Sequence, residues 1–354
     1  MQINSLSSEP LLAHFERRLE DRPFRPPLWL RGGHLQTLAA SLLKRNFSWG
    51  WGNAEEHFVD LRDGSRVRLI CAWQSPDAPT LVVLHGTGGS SDSTYMQGLS
   101  HKAYREGWNA VLVNLYNTNP ELPKPKVFHS GSSREVGEVL QKLSMKHQVR
   151  EFFLAGVSMG GNILLKLMGE WGSDSLVDVR AAGVISPLVD LTTAWKVLER
   201  PSNFLFQHHF VKNFKKRIKR HRSSLSPFVD VEALLRIKTL RQFDQLFTAP
   251  LAGFRDAFDY YERASALPYL KDIRIPTLLI HSHDDPLLPG ELFTLPETRS
   301  NPSLLMGLTR QGGHVGYLEQ ALPGGDIDRF WAENRLIEFF RLAGAHQTTQ
   351  SRGF

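Results

Sequence analysis

The sequence predicts an α/β fold: a mostly parallel central sheet flanked by helices, with a helical cap inserted after the sixth strand. Three observations lead there. Short apolar, β-branched runs alternate with helical patterns along most of the chain. The alternation stops between Leu188 and Pro268, where only helices and loops are signalled. Near the middle, Gly156-Val157-Ser158-Met159-Gly160 stands directly between a strand pattern and a helix pattern. Runs of this length bounded by turns fit strands buried on both faces, and their alternation with helices implies parallel pairing through right-handed crossovers.

In chain order, residues 23–45 come first, with Pro23, Pro26 and Pro27 followed by Gly32 and Gly33; they read as an ordered arm rather than a helix at its start. Segments 56–61 and 65–73, joined through Arg62, Asp63 and Gly64, read as an antiparallel hairpin leading into the sheet. Strands follow at 80–85, 109–114, 151–155, 182–186, 277–281 and 303–308, with helices at 95–106, 132–146, 159–171 and 327–342. The helical excursion belongs above the carboxyl edge of the sheet, where open α/β sheets bind ligands. The chain thus divides into an N-terminal arm packing on the core (1–50), a core (51–187 and 269–345), a helical cap (188–268) and a disordered tail (346–354).

The 354 residues are 41% hydrophobic and 22% charged, which supplies a large core and excludes a disordered or fibrous chain. Cys71 is the only cysteine, so neither an internal disulfide nor a paired-thiolate zinc site can form. Residues 1–10 are polar and lack the basic and apolar stretches of an export signal, and no run of about eighteen apolar residues could span a membrane. A reducing, cytoplasmic setting is expected. Lys212, Lys215, Lys216, Arg217, Lys219, Arg220 and Arg222 form a basic segment with no acid among them; without these seven the net charge of +6 becomes −1. The basic character therefore belongs to one segment, and with no reader motif or aromatic platform beside it, nucleic-acid binding is not expected. Phe214 and Ile218 give the segment a thin apolar stripe, so it reads as a solvated outer face of the cap or as a weak contact to an anionic membrane surface.

The chemistry centres on Ser158. A tight strand-to-helix turn holds it in a strained conformation that glycines on both sides permit, and presents its hydroxyl at the sheet edge beside a helix N-terminus. A serine hydroxyl needs a base and a group to orient that base. Gly312-Gly313-His314, after the last strand, supplies the base, His314. His281-Ser282-His283-Asp284-Asp285-Pro286, after the preceding strand, supplies the acid. Asp285, some four residues beyond the strand end, is favoured, with Asp284 bracing the turn or facing solvent; the choice between the two stays open. His281, His283, Asp284 and Asp285 could instead ligate a metal from alternate positions of an extended segment, but no second ligand cluster accompanies them, so no metal is expected.

His85-Gly86-Thr87-Gly88-Gly89 follows its strand where an oxyanion donor is needed, assigning one donor to the Thr87 N–H and the second to the Met159 N–H. That run does not give Gly-x-Gly-x-x-Gly, and no Gly-x-x-x-x-Gly-Lys-Ser/Thr occurs, so no nucleotide cofactor is expected. Trp195, Phe204, Phe206 and Phe210 suggest a cap whose inner side lines an apolar acyl pocket.

Several segments together resemble the YheT-like α/β-hydrolases over nearly the whole chain. These are Arg31-Gly32-Gly33-His34-Leu35-Gln36-Thr37-Leu38, His85-Gly86, Phe128-His129-Ser130-Gly131 and Gly156-Val157-Ser158-Met159-Gly160-Gly161-Asn162. They continue with Phe243-Asp244, Asp259-Tyr260-Tyr261, His283-Asp284-Asp285-Pro286 and Gly312-Gly313-His314-Val315-Gly316. The resemblance implies the α/β-hydrolase fold and a serine hydrolase acting on carboxylic esters, lipid and short acyl esters included, with some acyl transfer to alcohols. It carries over a triad of Ser158, one of Asp284 and Asp285, and His314. Where the family has Arg-Gly-Cys and a following glycine after the fourth strand, this chain has Asn114-Leu115-Tyr116-Asn117, a departure that bears on substrate preference and spares the triad. His34 and Gln36 are read as anchors of the arm rather than catalytic groups. The expectation is a serine esterase for short to medium acyl chains. Its rivals are an acyltransferase using the same triad and a non-catalytic binding protein that docks through its basic cap.

Overall fold

The structure, a computed structural model, describes residues 10–43, 45, 47, 54–119, 121–322 and 324–350. Helices α1 (Leu11–Asp21) and α2 (Gly33–Leu42) precede the hairpin β1 (Glu55–Asp60) and β2 (Arg66–Ala72). Strands and helices then alternate through β3 (Thr80–Leu84), α3 (Thr94–Arg105), β4 (Asn109–Asn117), α4 (Ser133–His147), β5 (Phe152–Val157), α5 (Met159–Trp171) and β6 (Val179–Ile185). After β6 come α6 (Leu191–Leu198), α7 (Phe204–Arg220), α8 (Arg222–Leu225), α9 (Val231–Arg236) and α10 (Leu240–Phe243). A π-helical turn (Asp244–Thr248) leads from there to α11 (Ala249–Ala252) and α12 (Ala257–Ala264). The chain returns to the sheet with β7 (Thr277–Ser282), then α13 (Pro296–Arg299), β8 (Leu304–Thr309) and α14 (Trp331–Gln350).

The eight strands form one sheet in the order β1-β2-β4-β3-β5-β6-β7-β8; β1 and β2 pair antiparallel, as do β2 and β4, and all other neighbours run parallel. Every residue of β3, β5 and β7 is buried, the physical counterpart of their unbroken apolar runs. Successive side chains point to opposite faces. Leu81 and Val83 meet Phe15 of α1, Leu99 of α3 and Phe340 of α14, whereas Val82 and Leu84 meet Leu140 of α4 and Leu167 of α5. Both faces of the sheet are thus covered, leaving the carboxyl ends of the strands as the place for a site.

Two terminal segments differ from the sequence reading. Helix α1, which the sequence reading left without an element, is polar on most sides and anchors itself through the fully buried Phe15, whose ring lies 5.1 Å from that of Phe339. Helix α14 continues to Gln350, through residues assigned from sequence to a disordered tail; 351–354 lie outside the described residues, as do 1–9 and 48–53. Gly344 does not stop it, because that position packs against the Phe153 ring, where a small residue suits the close contact. Among the described residues no helix is long and apolar enough to cross a membrane.

Candidate active site

Ser158 stands between the last residue of β5 and the first of α5, with φ 54° and ψ −118°. The strained conformation is the serine's own. The flanking glycines serve close approach instead: a Cβ on Gly156 would lie 2.6 Å from the Gly160 carbonyl oxygen, and one on Gly160 would lie 2.5 Å from the Leu84 carbonyl oxygen. Helix α5 can therefore start hard against the sheet, and the Ser158 amide is tied to the Ile185 carbonyl of β6 at 2.9 Å.

His314 and Asp285 come to this serine from the loops after β8 and β7. The Ser158 hydroxyl lies 2.8 Å from His314 Nε2, and His314 Nδ1 lies 2.8 Å from Asp285 Oδ2. Asp285 Oδ1 accepts the Leu287 and Leu288 amides at 2.8 and 3.2 Å. Burial by itself would raise this carboxyl, but the His314 imidazole and these donors hold it below its ordinary value, so it stays ionised. Asp284 makes a different contact, accepting the Gly313 amide at 2.9 Å. His281, fully buried, donates from Nε2 to the Leu288 carbonyl at 2.9 Å and so braces the same turn. Among the described residues no group of three or more potential ligands could hold a metal ion.

The N-terminal arm reaches into this arrangement, a role the sequence pattern gave only in outline. Gln36 exchanges two hydrogen bonds with the Leu318 backbone, at 3.1 and 2.9 Å, and His34 Nε2 meets Asn203 Oδ1 at 3.0 Å, so both act as anchors. Thr37 goes further: its hydroxyl accepts the His314 amide at 2.8 Å while donating to the Gly33 carbonyl at 2.7 Å. A Cβ on Gly313, which has φ 62°, would lie 2.2 Å from that same carbonyl oxygen, so glycine is required by both space and backbone. Among the described residues, four of the five non-glycine positions with positive φ, namely Ser158, Ser186, Val315 and Tyr317, lie here. Each costs about 1–3 kcal/mol and persists only where its surroundings over-determine it. The Val315 amide to Ser186 Oγ, at 3.1 Å, is one such constraint.

Opposite Ser158, the loop after β3 is braced from two sides. His85 donates from Nδ1 to the Gly86 carbonyl at 2.8 Å and accepts the Leu115 amide on Nε2 at 2.9 Å. Burial pushes its pKa down to about 4, so the ring is neutral with one donor and one acceptor, as both contacts require. The Gly86 amide donates to the Tyr95 hydroxyl at 3.0 Å. The Thr87 amide, by contrast, makes no hydrogen bond among the described residues, and neither does the Met159 amide at the start of α5. Both are available to an incoming oxygen.

A cavity of about 560 Å³ lies between these strand ends and the helices inserted after β6. His85, Thr87, Ser158 and Met159 line one side. On the other, Trp195 and Phe210 line it as expected, but Phe204 is exposed to solvent and Phe206 stacks on His34, 5.6 Å between ring centroids. Phe214, Phe243 and Phe247 take their place. Phe214 and Phe243 stack at 4.4 Å, and Val211 and Ile218 are buried beside them, so the apolar stripe of the basic helix faces inward, with Lys212, Lys216, Lys219 and Arg220 left exposed. Tyr116 and Asn117, where the chain departs from the family pattern, also line the cavity. Asn162 joins the inserted segment to the core: it donates to the Ser130 and Ala264 carbonyls at 2.9 and 2.8 Å and accepts the Ala266 amide at 2.9 Å. Asp244 is held by the Tyr261 hydroxyl at 2.9 Å and the Thr248 hydroxyl at 2.7 Å, and burial pushes its pKa up to about 6.

Comparison with known proteins bears on the fold and the family. Residues 81–323 match the model of the alpha/beta hydrolase family. The chain is 31% identical over 318 residues to an Escherichia coli protein named "Putative esterase YheT", covering 86% of this chain and 89% of that one. It is 27% identical over 341 residues to human phospholipase ABHD3, covering 91% and 82%, and 28% identical over 277 residues to monoacylglycerol lipase of Saccharomyces cerevisiae, covering 76% and 60%. Among solved structures, the Pyrococcus furiosus esterase Pf2001 aligns with a TM-score of 0.53 at 15% identity, over 85% of this chain and 97% of that one, a likeness of fold.

Proposed function

Since the chain belongs to the alpha/beta hydrolase family and is a carboxylic ester hydrolase, we propose that it works through an acyl-enzyme on Ser158, with His314 as the base and Asp285 as its orienting acid. The observation that carries this reading is the unbroken relay from Asp285 Oδ2 through His314 to the Ser158 hydroxyl, with both contacts at 2.8 Å. His314 Nε2 takes the serine proton as Oγ attacks the ester carbonyl, then returns it to the leaving alcohol; water repeats the cycle on the acyl-enzyme. Asp285 fixes the tautomer with Nε2 free and balances the imidazolium. The Thr87 and Met159 amides receive the negative oxygen of the tetrahedral intermediate, each worth on the order of 3 kcal/mol of barrier.

For the acyl half we propose short to medium chains, lipid esters included, because Trp195, Phe210, Phe214, Phe243 and Phe247 all enter the cavity wall and limit its depth. Treatment with a fluorophosphonate tests the mechanism. Wild type is expected to label stoichiometrically, and Ser158→Ala to lose both label and esterase activity, the latter by about 10⁴-fold or more, while keeping its thermal transition. Labelling that survives Ser158→Ala would remove Ser158 from the mechanism.

A further inference from the structure

An acyl pocket has no use for a bare guanidinium, yet this cavity contains one. Helix α7 presents Phe210, Phe214, Arg217 and Ile218 to the cavity, a spacing that places them on one face, and His221 just after its end joins them. Of the seven cations in the basic segment, only Arg217 lines the cavity. The cavity's other basic terminal group of this kind, Lys126, is neutralised by Asp63 at 2.7 Å and Glu135 at 2.6 Å. Arg217 has no ion pair and no hydrogen bond among the described residues; its guanidinium carbon stands 5.8 Å from the centre of the Tyr116 ring. Asp244, the carboxyl group in the wall, is turned to Tyr261 and Thr248 instead.

Arg217 lines the cavity while remaining exposed to solvent, and its one contact is the face of the Tyr116 ring, so its N–H donors are open to an incoming anion. Partial loss of water weakens its hold on its proton, and its charge in turn disfavours protonation of His85, the residue bracing the loop that carries Thr87. The free charge is therefore within electrostatic reach of the reacting centre. A planar fork of donors matches phosphate and carboxylate oxygens. The aromatic wall takes the apolar chain, so the charge is left for the other half of the ester.

We propose that Arg217 is a specificity-determining residue that receives an anionic oxygen group, phosphate or carboxylate, borne on the alcohol half of the substrate. This rests on the serine-hydrolase reading and narrows it to anionic esters. The test compares kcat/KM for three decanoyl esters, 1-decanoylglycerol 3-phosphate, O-decanoyl lactate and the uncharged 1-decanoylglycerol, in wild type, Arg217→Gln and Arg217→Lys. At least one anionic ester should exceed the neutral one by roughly 10- to 100-fold in wild type, and whichever does so identifies the anion. Arg217→Gln should bring that ratio close to one, and Arg217→Lys should restore part of it. A general defect in folding or chemistry lowers all three rates together and leaves the ratio alone. Equal rates on all three esters in wild type, or a ratio that persists in Arg217→Gln, overturns the proposal. Turnover that survives Ser158→Ala strikes the serine mechanism and not Arg217, since the ratio is read on the same turnover either way.

Discussion

The helices that flank the sheet and four of the short helices inserted after β6 are stabilised by different means. In α3, α4 and α5 no side chain caps the N-terminus; they are held by the faces they bury, Leu99, Leu140 and Leu167 among them. The inserted α6, α9, α10 and α12 are short and capped by their own sequence: Asp190, Asp230, Thr239 in a full capping box with Gln242, and Asp256. Helices of four to eight residues bury too little to hold themselves by packing, so local signals take over. The consequence is a division of labour. The sheet fixes Ser158, His314 and Asp285 through long-range contacts, while the inserted segment shapes the cavity wall and meets the acid's turn through Asn203, which donates to the Pro286 carbonyl at 2.7 Å.

The sharpest way to break this comparison is at the relay itself. Asp285→Asn should lower kcat/KM by about 10⁴, because it disturbs the tautomer that leaves Nε2 free. Asp284→Asn, which keeps an oxygen acceptor for the Gly313 amide, should stay within about tenfold of wild type. Steady-state rates on p-nitrophenyl butyrate decide it, and equal losses at the two positions would mean that the framework tolerates either acid.

Asp244 tests the inserted segment by a stability measurement. Its carboxyl ionises at about 6 when folded and near 3.8 when unfolded, so between those values the folded state binds more protons. Stability contributed by this group is present below about pH 4, falls as the pH rises towards 6, and is lost above it. Asp244→Asn removes that loss and should be more stable at pH 7 by on the order of 3 kcal/mol, with a flatter profile from pH 4 to 6 in urea titrations. A variant no more stable than wild type at pH 7 would show that the buried charge is compensated.

The smallest effect belongs to the cavity wall. Phe214→Ala removes one ring of a stack worth about 1 kcal/mol beyond its area and deepens the cavity. Across p-nitrophenyl esters of increasing length, wild type should peak at short to medium chains and the variant should shift towards longer ones. A wild-type peak on long chains would contradict the limited depth.

How much of this was legible follows from where each signal sits. The central strands β3, β5 and β7 could be read because both of their faces are buried, which leaves unbroken apolar runs such as Leu81–Leu84, and β1 and β2 because a short turn joins them as a hairpin. Ser158 could be read because its turn is local. Helix α1 was missed although Leu11, Leu12, Phe15 and Leu19 give it an apolar face, because the charged Glu16, Arg17, Arg18, Glu20 and Asp21 between and after them mask that stripe. The aromatic wall was half legible: composition pointed to Phe204 and Phe206, but the spacing of Phe210, Phe214, Arg217 and Ile218 was the signal for the inner face. The contact from Thr37 to His314 joins residues 277 positions apart and leaves no trace in either local pattern.

That hydroxyl sets the size of the working unit. The region aligned with the family, 81–323, omits α2 and with it the latch on the histidine loop. The aligned region holds every member of the relay, but the contact that positions the histidine loop comes from outside it, as do β1, β2 and α14. Removal of α2 alone would leave every reacting group in place and withdraw the hydrogen bond that holds the His314 backbone.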